Sequence, residues 1–251
     1  MVRAAALLAL VAALATWYGI APHVGRVGLW GSIALISCVL IPATFALVGL
    51  TLPLWRARGL LPVGVACAVL AVVLTKAGFD VAANFAKLAT MTFLGWWFLS
   101  YFETVSWVVL VACVIPWVDA YSVWRGPTRV LTHGKHEHVF TSLSVGFVVP
   151  GGGAARLGLP DVLFYALFLA ASARFGLRVW WTWIGLTIGL ALTIVVATWW
   201  DVGGLPALPG ISLGFLVPNA DLLWRRLRRQ PGLGDRADVA VDRPSDDGVS
   251  V

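Results

Sequence analysis

Charge is scarce in this chain of 251 residues. Asp, Glu, Lys and Arg make up 12% of it, against about 25% in an average soluble domain. With 60% hydrophobic residues, this excludes a water-soluble globular protein and reads as a chain embedded almost wholly in a membrane. Cysteine is nearly absent. Cys38, Cys67 and Cys113 all fall inside apolar runs, so they offer no disulfide framework and no metal-ligand spacing, and read as small buried hydrophobes. A Walker loop, a dinucleotide fingerprint behind a strand and a zincin motif are also missing. No nucleotide, organic cofactor or metal is therefore expected. Acids are outnumbered 12 to 18 by Lys and Arg, for a net charge of +6. Part of that excess is Arg225, Arg226, Arg228 and Arg229. Beside an apolar segment, such a cluster reads as an anchor at anionic lipid rather than a nucleic-acid site.

What is abundant is apolar sequence in long runs, with 14 Trp of the kind that gather at membrane interfaces. Eight apolar spans are predicted, near 4–22, 29–53, 60–77, 81–101, 104–124, 158–176, 178–200 and 203–224. Lipid offers no partner to backbone groups, so spans of this length imply helices. The first span, with Arg3 and small residues at Ala13 and Ala15, also has features of a signal peptide. Its length and the closely following second span favour a retained helix. The expected class is an all-α polytopic membrane protein, with an N-terminal four-helix part (1–101), a C-terminal four-helix part (102–224) and a polar tail (225–251). Within the tail, 230–251 reads as disordered.

The longest break is 125–157. Val139–Val149 within it is β-branched, aromatic and small, and too short to cross as a helix. It is a candidate strand at the membrane surface. Gly151, Gly152 and Gly153 follow as an expected flexible joint. His133, His136, Glu137 and His138 are loosely spaced and read as a solvated loop before a metal site. Asp80, Asn84 and Lys87 share one helix face and are expected to form a polar network, with a substrate path as the minor alternative. Asp221 and Arg225 are placed as an i,i+4 pair.

Two aspartates stand in apolar runs with no adjacent Lys or Arg, Asp119 in IPWVDAYSVW and Asp161 in LGLPDVLFYALFLA. An ionisable group at such depth marks a working site by default. Asp119 lies six residues before Arg125 and Asp161 five residues after Arg156. At helical rise both sit roughly 8–9 Å in from the same surface. Their helices are consecutive, hence antiparallel and expected to be neighbours. The last span starts on that same side, where Asp201 precedes Pro206 and Pro209. Those prolines predict a broken helix with freed carbonyls. Two facing carboxyls sharing one proton suit aspartic hydrolysis. Structural hydrogen bonding, an ion path and, for Asp161, a helix-dipole partner stay open as alternatives.

These residues resemble the GxGD intramembrane aspartyl proteases, the presenilin and signal peptide peptidase group. The likeness rests on Asp119 followed by AYSVWRGP, on Gly158-Leu159-Pro160-Asp161 and on Pro206-Ala207-Leu208. It covers about 104–224. Val118 stands where the family often has Tyr, and Pro160 where it has Gly. The resemblance implies catalysis by Asp119 and Asp161, with Gly158, Leu159, Pro160, Pro206, Ala207 and Leu208 shaping the site. It implies transmembrane proteins as substrates and no cofactor. The Pro-Ala-Leu element argues against the nearest enzymatic rival, a prepilin-peptidase-type protease. A degenerate homologue and a proton-coupled carrier are the rivals outside proteolysis. Arg3, Arg56, Arg58, Arg174, Arg178 and the tail arginines outnumber Arg26, Lys76, Arg125, Arg129, Lys135 and Arg156 on the other side. By the positive-inside rule both termini are expected in the cytoplasm of a bacterial cell, the protein in its plasma membrane, and 125–157 outside.

Overall fold

The computed structural model describes residues 2–125, 143–152, 154–200 and 205–229. The histidine-rich patch, Gly153, Asp201 and the tail beyond 229 lie outside the described residues, as does the first part of the candidate strand. The described chain is mostly helical, and a helix covers each of the eight apolar stretches. They are α1 (Val2–Ile20), α2 (Leu29–Leu35) and α3 (Ile41–Thr51), α4 (Leu60–Lys76), α5 (Asp80–Leu99), α6 (Val105–Arg125), α7 (Leu159–Arg174), α8 (Val179–Trp199) and α9 (Leu208–Arg229). A π-helical turn at Ile36–Leu40 joins α2 to α3. Among the described residues, four helices are long and apolar enough to cross a membrane: Val2–His23, Leu29–Arg56, Val105–Val123 and Val179–Trp199. Large apolar side chains also cover the outside. On α4 they include Val65, Val69, Val72 and Val73, all exposed, which suits a lipid surround better than water.

One helix is buried nearly all round, and it is α7. Val162, Tyr165 and the run Ala166–Ala171 are fully buried. Such a helix belongs at the centre of a bundle. α5, α8, α9 and, slightly, α6 pack around it. Tyr165 stacks on Phe45 with ring centroids 3.9 Å apart and hydrogen-bonds Thr187 at 2.8 Å. Phe168 stacks on Phe215 of α9 at 4.9 Å. At the far end Arg174 donates to the Leu99 carbonyl at 2.5 Å. The N-terminal and C-terminal parts thus interlock in one core around α7.

α8 and α9 approach closely because both carry glycines four apart, Gly185 and Gly189 facing Gly214 and Gly210. A Cβ on Gly189 would lie 2.1 Å from the Gly210 carbonyl oxygen, and one on Gly214 would lie 2.4 Å from that of Gly185. Small residues at this spacing let membrane helices pack backbone to backbone. Below this crossing, Asn219 is fully buried. It accepts from the Arg178 N–H at 2.9 Å and donates to Thr182 at 2.7 Å. Asp221 pairs with Arg178 in a two-pronged contact at 2.8 and 2.9 Å. This replaces the expected Asp221–Arg225 pair, because the fork of Arg178 reaches both carboxylate oxygens from the neighbouring helix.

The candidate strand is present as β1 (Ser144–Val148), and it has an unforeseen partner, β2 (Ala154–Gly158). They run antiparallel, with Gly146 opposite Arg156 and Ser144 opposite Gly158. Where a flexible joint was expected, Val149–Gly152 is a tight turn: Gly152 N–H bonds the Val149 carbonyl at 3.3 Å, and Gly151 has φ 85°. Pro150 at the second position and glycine at the third fit a type II turn. The cysteines also depart from expectation. Cys38 and Cys113 are exposed rather than buried, since a thiol on the outer face of an apolar helix carries little polar cost in lipid.

Replacing Gly189 by Ala is expected to force α8 and α9 apart and cost about 1–3 kcal/mol. Thermal unfolding of the purified variant in detergent checks this; an unchanged midpoint would refute the backbone-to-backbone crossing.

Candidate functional site

The two aspartates come to the same region, but by a different route from the one depth counting gives. α6 packs chiefly on α9 and only slightly on α7. Consecutive helices here are not the main neighbours, because the hairpin intervenes between them. Asp161 is not five helical residues in from the loop either, since Ala154–Gly158 is extended. The strand carries the chain inward at about 3.3 Å per residue, and α7 then starts at Leu159 with Asp161 in its first turn.

Asp161 folds back on the start of its own helix. Gly158 is the N-cap, and the Asp161 carboxyl turns back toward its backbone N–H. An acidic residue in that position reaching back to the cap N–H is one half of a capping box. Pro160 fits without loss, because a first-turn N–H has no partner inside the helix. Gly158 matters for space. A Cβ there would lie 3.1 Å from Asp161 Oδ2, so any larger residue pushes the carboxyl away.

Asp119 is held by another helix. Leu208 N–H donates to Asp119 Oδ2 at 3.0 Å, and the Ala207 N–H lies toward the same carboxyl. The Pro206-Ala207-Leu208 segment therefore meets Asp119 through its backbone. This corrects the expectation for the two prolines. Pro206 lies before α9 and Pro209 in its first turn, so neither breaks a helix interior. The Ala207 carbonyl is already bonded by the Ile211 N–H at 3.1 Å. What the segment offers is donors, not acceptors, and the first N–H groups of a helix are those that lack internal partners. Asp119 thereby caps α9 from the side of α6. Pro116, one turn before Asp119 inside α6, is a further helix irregularity next to the site.

The charge of Asp119 is felt at the Asp161 carboxyl, so the two groups form an electrostatic pair. Gly158, Leu159 and Pro160 flank one member of the pair, and Ala207 and Leu208 cap the other. No cluster of three or more His, Cys, Asp or Glu able to hold a metal occurs among the described residues. The sequence reading missed the capping of α9 by Asp119. Its only signal was that Pro-Ala-Leu-Pro opens a helix without a Ser, Thr, Asp or Asn of its own just ahead of it.

The polar face of α5 also finds its use here. Asn84 and Lys87 reach β1: Gly146 N–H donates to Asn84 Oδ1 at 3.3 Å, and Lys87 Nζ donates to the Ser144 carbonyl at 3.2 Å.

Comparison with protein-family models, with curated proteins and with solved structures finds no match. The resemblance to the GxGD proteases thus rests on this chain's own residues.

Because Asp119 caps α9, Asp119→Ala is expected to strip the Leu208 N–H of its acceptor at a cost of about 1–3 kcal/mol. Hydrogen exchange across 205–212 should accelerate in that variant. Asp119→Asn keeps an amide oxygen as acceptor and should leave exchange near the wild-type rate. Equal exchange in wild type and Asp119→Ala would remove the cap.

Proposed function

We propose that this chain is an intramembrane aspartic endopeptidase that hydrolyses peptide bonds within transmembrane helices of other proteins. Its eight helical stretches all span the bilayer in this reading. The membrane is the bacterial plasma membrane, with both termini in the cytoplasm. The observation that supports it most is the pairing of Asp119 and Asp161 from two different helices, with the Pro206-Ala207-Leu208 backbone bound to one of them.

The chemistry follows from a shared proton. Two adjoining carboxyls do not both ionise cheaply, so the pair holds one proton between them. The ionised member takes a proton from a water lodged between the two. The resulting hydroxide attacks the scissile carbonyl carbon, while the protonated member donates to the carbonyl oxygen. Collapse of the tetrahedral intermediate breaks the C–N bond, with a carboxyl proton passing to the leaving amine.

A substrate helix must unwind to expose a carbonyl, and an extended segment is then held by strand addition. The candidate strand Val139–Val149 offers β1 as one edge for such addition. The edge of β1 away from β2 is already engaged by side chains of α1 and α5 at Ser144, Gly146 and Val148. With Gly146 bonded outward, Gly146 and Arg156 form a non-hydrogen-bonded pair. The backbone groups of Arg156 then point to the far side of β2, where no third strand lies among the described residues. That edge runs straight into Gly158 and Asp161. β2, not β1, is the template in this reading.

One observation favours a second reading. Both carboxyls already serve as acceptors at helix starts, Asp119 for α9 and Asp161 for α7, which is what a non-catalytic scaffold would keep them for.

Cleavage of single-span reporter proteins by the purified chain in liposomes separates the two. Loss of all turnover in both Asp119→Asn and Asp161→Asn, with folding retained, is expected. Turnover that persists in either variant would sink the dyad. Gly158→Ala is expected to slow cleavage roughly tenfold or more by displacing the Asp161 carboxyl; a wild-type rate there would dissociate Gly158 from the site.

A further inference from the structure

The edge of β1 that faces away from β2 is closed by side chains alone. Tyr18 Oη donates to the Gly146 carbonyl at 2.7 Å. Asn84 answers the same residue with both ends of its amide: Oδ1 accepts from the Gly146 N–H at 3.3 Å, and Nδ2 donates to the Gly146 carbonyl at 3.5 Å. Trp17 Nε1 donates to the Val148 carbonyl at 3.1 Å. Ser144, Gly146 and Val148 alternate along β1, so these contacts follow the period of a neighbouring strand. The groups that supply them come from the end of α1 and the start of α5. Tyr18 is itself fixed, 7% exposed and edge-on to Phe85 with ring centroids 6.3 Å apart.

The side-chain contacts pass their effect on through the hairpin. β1 sets the register of β2 by pairing Ser144 with Gly158, and the Leu159 N–H bonds the Leu143 carbonyl at 3.1 Å. Leu159 is the first residue of α7, and Gly158 carries the N–H that Asp161 accepts.

We infer that Tyr18 and Asn84 are positioning residues: they substitute for a third strand on β1, lock the hairpin in register, and thereby fix where Asp161 sits relative to Asp119. This assignment rests on the protease reading for its effect on turnover, but not for its effect on the hairpin. Neither residue touches the two carboxyls in this arrangement, so they act only through Gly146 and β2.

The test uses the full chain in liposomes. Tyr18→Phe removes one hydroxyl and leaves the ring; Asn84→Leu removes the amide while keeping the branched shape of the side chain. In the double variant, hydrogen exchange of 143–152 and 154–158 should speed up by about fivefold or more, with α8 unchanged. Cleavage of the single-span reporter should slow by a similar factor, and its pH–rate profile should move along the pH axis. A smaller folded fraction scales such a profile without moving it, whereas a displaced carboxyl changes how the pair shares its proton. Asn84→Gln, which keeps donor and acceptor, should recover part of the rate.

Unchanged hairpin exchange in the double variant overturns the inference. So does faster hairpin exchange with a wild-type rate and profile. A wild type that cleaves no reporter counts against the protease reading instead; hairpin exchange then decides alone whether Tyr18 and Asn84 hold β1.

Discussion

A backbone N–H or C=O left unpaired in apolar surroundings costs more than most single packing contacts return. Helices meet that demand along their length but not at their ends, and short strands not at their edges. The start of α9 is the sharpest case. Its segment Pro206-Ala207-Leu208 brings no capping side chain, and the acceptor comes from Asp119 on α6. The start of α7 is met by Asp161 through the Gly158 N–H, and the outer edge of β1 by Tyr18, Asn84, Trp17 and Lys87. Among the described residues, Asp119, Asp161, Asn84 and Lys87 are each turned to a backbone group. The arrangement of α6, α9, the hairpin and α7 depends on those commitments.

That dependence gives each aspartate two roles in the proposed enzyme. As an acceptor at a helix start, each is held where it is most useful to the fold. As a member of an electrostatic pair, each is held where it would share a proton. The roles are compatible, because a carboxylate has more acceptor sites than one or two N–H groups occupy. They also set the choice of variants. Alanine at 119 removes fold and chemistry together, while asparagine separates them.

The helices were legible in the sequence because apolar run length and polar punctuation govern them. All eight stretches carry helices, and all but the last begin and end close to the expected residues; the last, expected at 203–224, is shifted along the chain to Leu208–Arg229. That Asp119 and Asp161 come to one region was expected from order and depth, although the geometry that brings them there differed. The expected α6–α7 packing gave way to α6–α9 packing, since hydropathy has no term for which helix lies beside which. β2 was missed because Ala154–Gly158 has no alternation of its own. It is a strand only because Val149-Pro150-Gly151-Gly152 turns the chain back onto β1. Asp221 found Arg178 instead of Arg225 for the same reason: spacing along a helix suggests local partners, and tertiary packing offers a better fork.

The two edges of the hairpin differ for a reason that bears on how a substrate would be read. The β1 edge is occupied by groups on long, partly buried side chains from two helices, so exposing it for an incoming strand would strip several backbone groups of their partners at once. The β2 edge has no neighbouring strand among the described residues, and it ends at Gly158, where the last outward N–H is bound by Asp161 itself. An extended peptide laid along β2 would therefore have its register fixed at one end by a residue of the electrostatic pair. Its polar backbone would meet a polar edge instead of lipid, and a carbonyl would be brought beside Asp161 without any movement of α7. A hairpin clamped along β1, with no third strand beyond β2 among the described residues, suits such selection, because a template that shifts by even one residue turns every side chain of its guest to the opposite face.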